Sequence, residues 1–173
     1  MSSNDRVANW HKTIDSDDII WLTLDVPSSK TNTLTSKVLL DFSTEIDTLS
    51  DNPPKGIVIR SAKKNGFIAG ADINTFAKQH SVDDTFYAIR QVQDLFARLE
   101  KLPCPTVTML HGFCLGGGLE LSLACDYRLA EDAPSTRIGL PEVKLGIHPG
   151  YGGSVRLIEL LGVLPAMKMM LTG

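Results

Sequence analysis

The passage "TVTMLHGFCLGGGLELSLAC", Thr106 to Cys125, constrains the fold more than any other stretch of the chain. "TVTML" reads as a short strand, and the chain then runs through Gly112 and the triplet Gly116 to Gly118 into an apolar helical segment carrying one carboxylate, Glu120. A strand that turns through glycines into a helix leaves the first helical N–H groups unpaired and pointing outward. Glycine lets a ligand carbonyl come within hydrogen-bonding distance of such a group, that of Gly117 above all. Glu120 follows three residues later, in the first turn and on the same face. The helix N-terminus favours its ionised form and burial opposes it, which poises a carboxyl for proton transfer. Taken alone, the triplet also fits a plainer reading, in which the glycines only permit tight packing and Glu120 interacts with the helix dipole.

The rest of the chain alternates in kind. "IIWLTLD" (19–25) is β-branched and bounded by turn residues, a strand. From Thr35 the period becomes helical, with Val38, Leu39, Phe42, Ile46 and Leu49 on one face, until "DNPPKG" stops it. "GIVIRS" (56–61) is again a strand, and "AKKNGFIAGADI" is a loop rich in small residues. A second helix starts at Ser81, with Phe86, Ile89, Val92, Phe96 and Leu99 as its apolar face, and "LPCP" ends it. "YRLA" is a strand, "APSTRIGLPEVKLG" a loop with a short extended piece, and "GGSVRLIELLG" a helix closed by Gly162. This order predicts an α/β fold with buried sheets between covering helices. At Pro165 a new amphipathic segment begins, with Met167, Met170 and Leu171 offering apolar surface, so the expectation is a single domain over residues 1–173 that belongs to a longer protein.

Composition narrows the function classes. Apolar residues are 43% and charged ones 21%, as in globular chains, and the net charge of -3 comes without a dense basic block, which argues against nucleic acid as a partner. The start of the chain lacks an apolar signal core and no stretch is long enough to span a membrane, so a cytoplasmic protein is expected. Cys104, Cys114 and Cys125 lack C-x-x-C spacing and read as buried thiols. His11, His80, His111 and His148 form no H-E-x-x-H pair, and no metal site is expected. Walker, G-x-S-x-G and G-x-G-x-x-G motifs are absent from the sequence. Lys63 and Lys64 read as a solvated turn, Asp72 as a loop brace, and His111 as a structural histidine.

Two more motifs weigh on the glycine triplet: "IAGADI" (68–73), small residues suited to close approach of a flat ligand, and "GLPEVKLG" (139–146), which sets Glu142 after a proline in an apolar loop. Together with "HGFCLGGGLELSLACDYRLA" and "PEVKLGIHPGYGGSVRL", from about Ile19 to the end, the chain resembles the crotonase (enoyl-CoA hydratase/isomerase) superfamily, and its wording is most similar to the hydratase part of fatty-acid oxidation multifunctional α subunits. The resemblance implies a crotonase-like spiral of repeated strand-strand-helix units, with the C-terminal helices of the family missing. It implies an oxyanion hole from the N–H groups of Ala71 and Gly117, and catalytic Glu120 and Glu142, the first base-like and the second acid-like. Ala69, Ala71 and Ile73 would lie along the adenine of coenzyme A.

The implied activity is that of a carbon–oxygen lyase adding water to trans-2-enoyl-CoA thioesters in fatty-acid β-oxidation, with Δ3-Δ2 isomerisation as a second use of the site. Coenzyme A enters as part of the substrate, and no further cofactor is implied. A homo-oligomer, or a complex with a thiolase subunit in the full-length protein, is the implied assembly. The alternative is a non-catalytic binding or scaffold member of the same fold, or an inactive core.

Overall fold

The computed structural model describes residues 9–72 and 81–173. Five strands form one sheet in the order β1 (Trp10–Ile14), β2 (Ile19–Leu24), β3 (Gly56–Ser61), β5 (Thr106–Leu110), β7 (Tyr127–Ala130), and three short ones form a second in the order β4 (Gly66–Ile68), β6 (Phe113–Leu115), β8 (Arg137–Gly139). Only the β1–β2 hairpin is antiparallel; every other pairing between named strands is parallel. The chain repeats one move: a strand in the large sheet, a strand in the small sheet, then a helix. β3 and β4 precede α2 (Val82–Glu100), β5 and β6 lead into α3 (Gly117–Leu123), and β7 and β8 into a 3-10 turn (Pro141–Leu145) and α4 (Gly153–Leu161). This is the spiral of strand-strand-helix units that the resemblance implies. α1 (Ser36–Asp51) enters after β2, and α5 (Val163–Thr172) follows α4.

The step from large to small sheet depends on glycine. Gly112 has φ +51, and a Cβ built on it would lie 2.1 Å from the carbonyl oxygen of Asn65, so the two corner loops touch backbone to backbone. The isolated bridge between Gly66 and Gly112 is that contact.

Helix ends follow local chemistry. Thr35 caps α1 by accepting the N–H of Val38, and Ser81 caps α2 by accepting that of Asp84. Of the predicted stripe, Val38, Phe42, Ile46 and Leu49 are buried and Leu39 is partly buried. On α2, Val92, Phe96 and Leu99 are buried and Ile89 partly so, whereas Phe86, near the start of the helix, is 57% exposed. α5 begins at Val163, two residues before Pro165; a proline in the first turn forfeits no intrahelical bond.

Three strands depart from the sequence reading. β1 arises from a polar segment, and its place is fixed by Trp10, which stacks on Phe42 at 4.7 Å between centroids and donates its indole N–H to the Val38 carbonyl at 3.1 Å. β4 and β6, three residues each, lie in stretches read as loop and turn, too short to show a period. The large sheet is also not covered throughout: Met109, Tyr127 and Leu129 on its β5–β7 side are exposed. Among the described residues no group of three or more His, Cys, Asp or Glu side chains is arranged to hold a metal ion, and no helix is long and apolar enough to cross a membrane.

Candidate active site

Gly116 has φ +51 and caps α3, and a Cβ built on it would lie 2.9 Å from Glu142 Oε1. Only glycine there lets the Glu142 carboxyl lie against the α3 entrance. Gly117 is the first residue of α3, so its N–H belongs to the group without an intrahelical acceptor. Gly118 seats the helix on β4: a Cβ there would meet the Ile68 carbonyl at 2.6 Å.

The carboxylates are treated differently by their surroundings. Glu120 is 2% exposed, and its Oε1 accepts the N–H groups of Tyr151 and Gly153, both at 2.8 Å. Burial pushes its pKa up to about 7; the two N–H donors and Arg156 pull it down, while nearby Glu142 raises it further. Glu142 stands on the 3-10 turn behind Pro141, nearly buried, and its Oε2 has no hydrogen-bond partner among the described residues. Burial raises its pKa too, opposed by its own backbone N–H and by His148. A buried carboxyl oxygen without a partner is costly, and such an oxygen is often completed by a ligand or water.

The other side of the site is backbone. A parallel bridge joins Leu34 to Ala71 through Leu34 N–H to the Gly70 carbonyl (2.9 Å) and Asp72 N–H to the Leu34 carbonyl (3.2 Å). In this pattern the bonds to Leu34 come from the residues flanking Ala71, which turns Ala71's own N–H to the opposite edge. The Gly70 end of this segment lies beside the α3 entrance: a Cβ on Gly70 would lie 3.5 Å from the Leu115 carbonyl, and Gly70 Cα is 3.8 Å from the Cβ position of Gly116. Ala69 is exposed at the outer end of the segment, and Ile73 lies outside the described residues.

Thus Gly117, Glu120 and Glu142 meet around one turn, with the Ala71 strand beside it. Lys63 departs from the solvated-turn reading: its side chain is largely buried, and Nζ bonds Asp25 at 2.5 Å and the Val26 carbonyl at 2.7 Å. His111 Nε2 lies 2.6 Å from the Lys63 carbonyl, a structural role as expected.

Two residues escaped sequence reasoning. Asn32 is buried; its Oδ1 accepts the Val26 N–H, its Nδ2 donates to Leu24, Phe67 and Ser61 oxygens, and its carbonyl accepts the Ala69 N–H, so it locks the segment that carries Ala71. Tyr151 holds Glu120 through its backbone, and its ring lies against Gly117. Asn32 acts through tertiary bonds, and Tyr151 lies inside the motif "PEVKLGIHPGYGGSVRL" without a residue type that points to its part in the site.

The family model for enoyl-CoA hydratase/isomerase matches residues 15–173. The chain belongs to the enoyl-CoA hydratase/isomerase family. It is 47% identical over 166 residues to the fatty acid oxidation complex subunit alpha of Aliivibrio fischeri, a match covering 95% of this chain and 24% of that protein. The chain therefore spans about a quarter of the length of that curated relative. Its fold is similar to the crystal structure of an enoyl-CoA hydratase from Bacillus anthracis, with a TM-score of 0.85 and 30% identity over 95% of this chain and 63% of the other. The hydratase structure from Thermoplasma volcanium gives the same TM-score and identity, over 95% of this chain and 64% of the other. The family's crotonase fold and the site geometry thus meet in one chain, whose residues span less than two thirds of these solved relatives.

Proposed function

We propose that the chain carries the hydratase site for trans-2-enoyl-CoA thioesters in fatty-acid β-oxidation. The observation that carries the reading is the buried glutamate pair at the α3 entrance, with one Glu142 oxygen that has no hydrogen-bond partner among the described residues. The thioester oxygen is held by the N–H groups of Ala71 and Gly117. Water adds its oxygen to C3, the electrons of the double bond pass to the carbonyl oxygen as an enolate, and collapse of the enolate takes a proton at C2. Glu120 accepts the proton from water and Glu142 delivers the one at C2. Both act on one water, so naming one the base and the other the acid chooses one microstate of the pair. Ala69, Ala71 and Ile73 border the adenine of coenzyme A, and no metal or redox cofactor takes part.

Isomerisation needs only one carboxyl to move a proton from C2 to C4, and the free oxygen of Glu142 suits it. A homo-oligomer, or assembly with a thiolase subunit, is the proposed quaternary state, in line with relatives that are α subunits of a fatty acid oxidation complex. The test is loss of enoyl absorbance with crotonyl-CoA. Glu142→Gln and Glu120→Gln are each expected to lower kcat by at least about 10²-fold; normal turnover in both variants overturns the proposal.

A further inference from the structure

A groove of about 540 Å³ runs between α1 and α2, and its inner end touches the candidate active site. Leu39 and Leu40 of α1 and Ile89 and Val92 of α2 form its walls, and Leu34 and Tyr151 its inner end. Those last two also pack on the α3 entrance: a Cβ on Gly117 would lie 3.3 Å from Leu34 Cδ1 and 3.2 Å from two Tyr151 ring carbons. The backbone proposed to hold the thioester oxygen and the groove therefore share two side chains. At the other end Arg98 bonds Ser43 and Asp47, and beside it Asp94 adds polar lining. Leu40 is 68% exposed in the wall, apolar surface that the protein core leaves unused. Groove volume is within the range of small-molecule sites.

Tyr151 is packed and bonded on several sides. It is 8% exposed, stands edge-on to Phe96 at 6.0 Å, and gives its N–H to Glu120. Its carbonyl accepts from Arg156 at 3.3 Å, and the adjacent Gly150 carbonyl accepts from Gln93 of α2 at 2.7 Å. The ring is thus fixed from both sides between Gly117 and the groove.

We infer that Tyr151 is a specificity-determining residue whose ring sets the width of the passage from the thioester site into the α1–α2 groove, so that unbranched hydrocarbon chains enter and chains branched near C4 are turned away. The ligand's identity rests on the proposed function; the contacts of Tyr151 with Gly117 and with the groove do not. A hydrocarbon chain suits the lining, since each methylene buried there tightens binding by about fourfold.

The test is calorimetric binding of two isomeric saturated ligands, hexanoyl-CoA and 4-methylpentanoyl-CoA, which differ in width and not in carbon count. The wild-type chain is expected to prefer hexanoyl-CoA by about 10-fold, and Tyr151→Ala, which keeps the backbone N–H for Glu120, to reduce that preference to about twofold or less. Partial unfolding of the variant would weaken both ligands equally and leave the ratio intact. Leu40→Asp, on an exposed position, is expected to weaken hexanoyl-CoA by about 10-fold while leaving butyryl-CoA within about threefold. Equal affinity of the two isomers in the wild type, or an undiminished preference in Tyr151→Ala, overturns the inference. Intact discrimination with no turnover of crotonyl-CoA overturns the hydratase reading alone; turnover without discrimination overturns this inference alone; no binding of any of these ligands overturns both.

Discussion

Glu120 carries a free-energy cost that its burial imposes. A carboxyl whose folded pKa is raised from 4.5 to about 7 binds more protons folded than unfolded between those values. Stability is therefore full below about pH 4.5 and falls as pH rises toward 7, by ~3 kcal/mol for a shift of this size. Glu120→Gln keeps an oxygen for the Tyr151 and Gly153 N–H groups and cannot ionise. Denaturant unfolding is expected to show the variant more stable than wild type at pH 8 by ~1–3 kcal/mol, with the gap closing at pH 4.5. An equal pH dependence in both proteins contradicts the buried placement. At Asn32 the expectation runs the other way: Asn32→Ala leaves buried partners unpaired and lowers stability by ~2–4 kcal/mol, read from the shift in the unfolding midpoint.

At the scale of elements, α3 is set by what its glycines permit. Gly118→Ala drives a methyl against the Ile68 carbonyl of β4 and is expected to cost ~1–3 kcal/mol, whereas Gly139→Ala in β8, with no atom within 4 Å of the new methyl, is expected to stay within ~0.5 kcal/mol in the same unfolding measurement. Similar losses at both positions would contradict the seating of α3 on β4. The same contrast explains what was legible in the sequence. β2, β3, β5 and β7 are runs of apolar or β-branched residues between turn residues, and each was readable. β1 was not, because its lysine is paired with Glu45 of α1 at 2.7 Å and its tryptophan reports only on a distant helix. β4 and β6 exist through their pairing with each other and with β8, a tertiary fact that three residues cannot announce. In the site, Gly117 and Glu120 were legible from the glycine-to-helix passage, and Glu142 gained its meaning from the motif order. Tyr151 and Asn32 were not, since their work is done by ring placement and by bonds to residues far along the chain.

Across the whole molecule, the α4–α5 region leaves Leu160, Val163 and Leu164 exposed, Leu164 at 84%. Apolar surface gathered in this way favours association. Sedimentation is expected to show concentration-dependent self-association of the chain, weakened by Leu164→Lys with little change in thermal midpoint; a monomer at all concentrations would contradict that use of the surface. The site's chemistry is the more central claim, because a hole for a thioester oxygen serves hydrolysis as well as hydration, and only the destination of the water oxygen separates them. The measurement that decides is mass spectrometry of crotonyl-CoA turned over in ¹⁸O-labelled water. The account predicts a 3-hydroxyacyl thioester with the label on C3 and coenzyme A still attached. Label in a free carboxylic acid, with coenzyme A released, would contradict it.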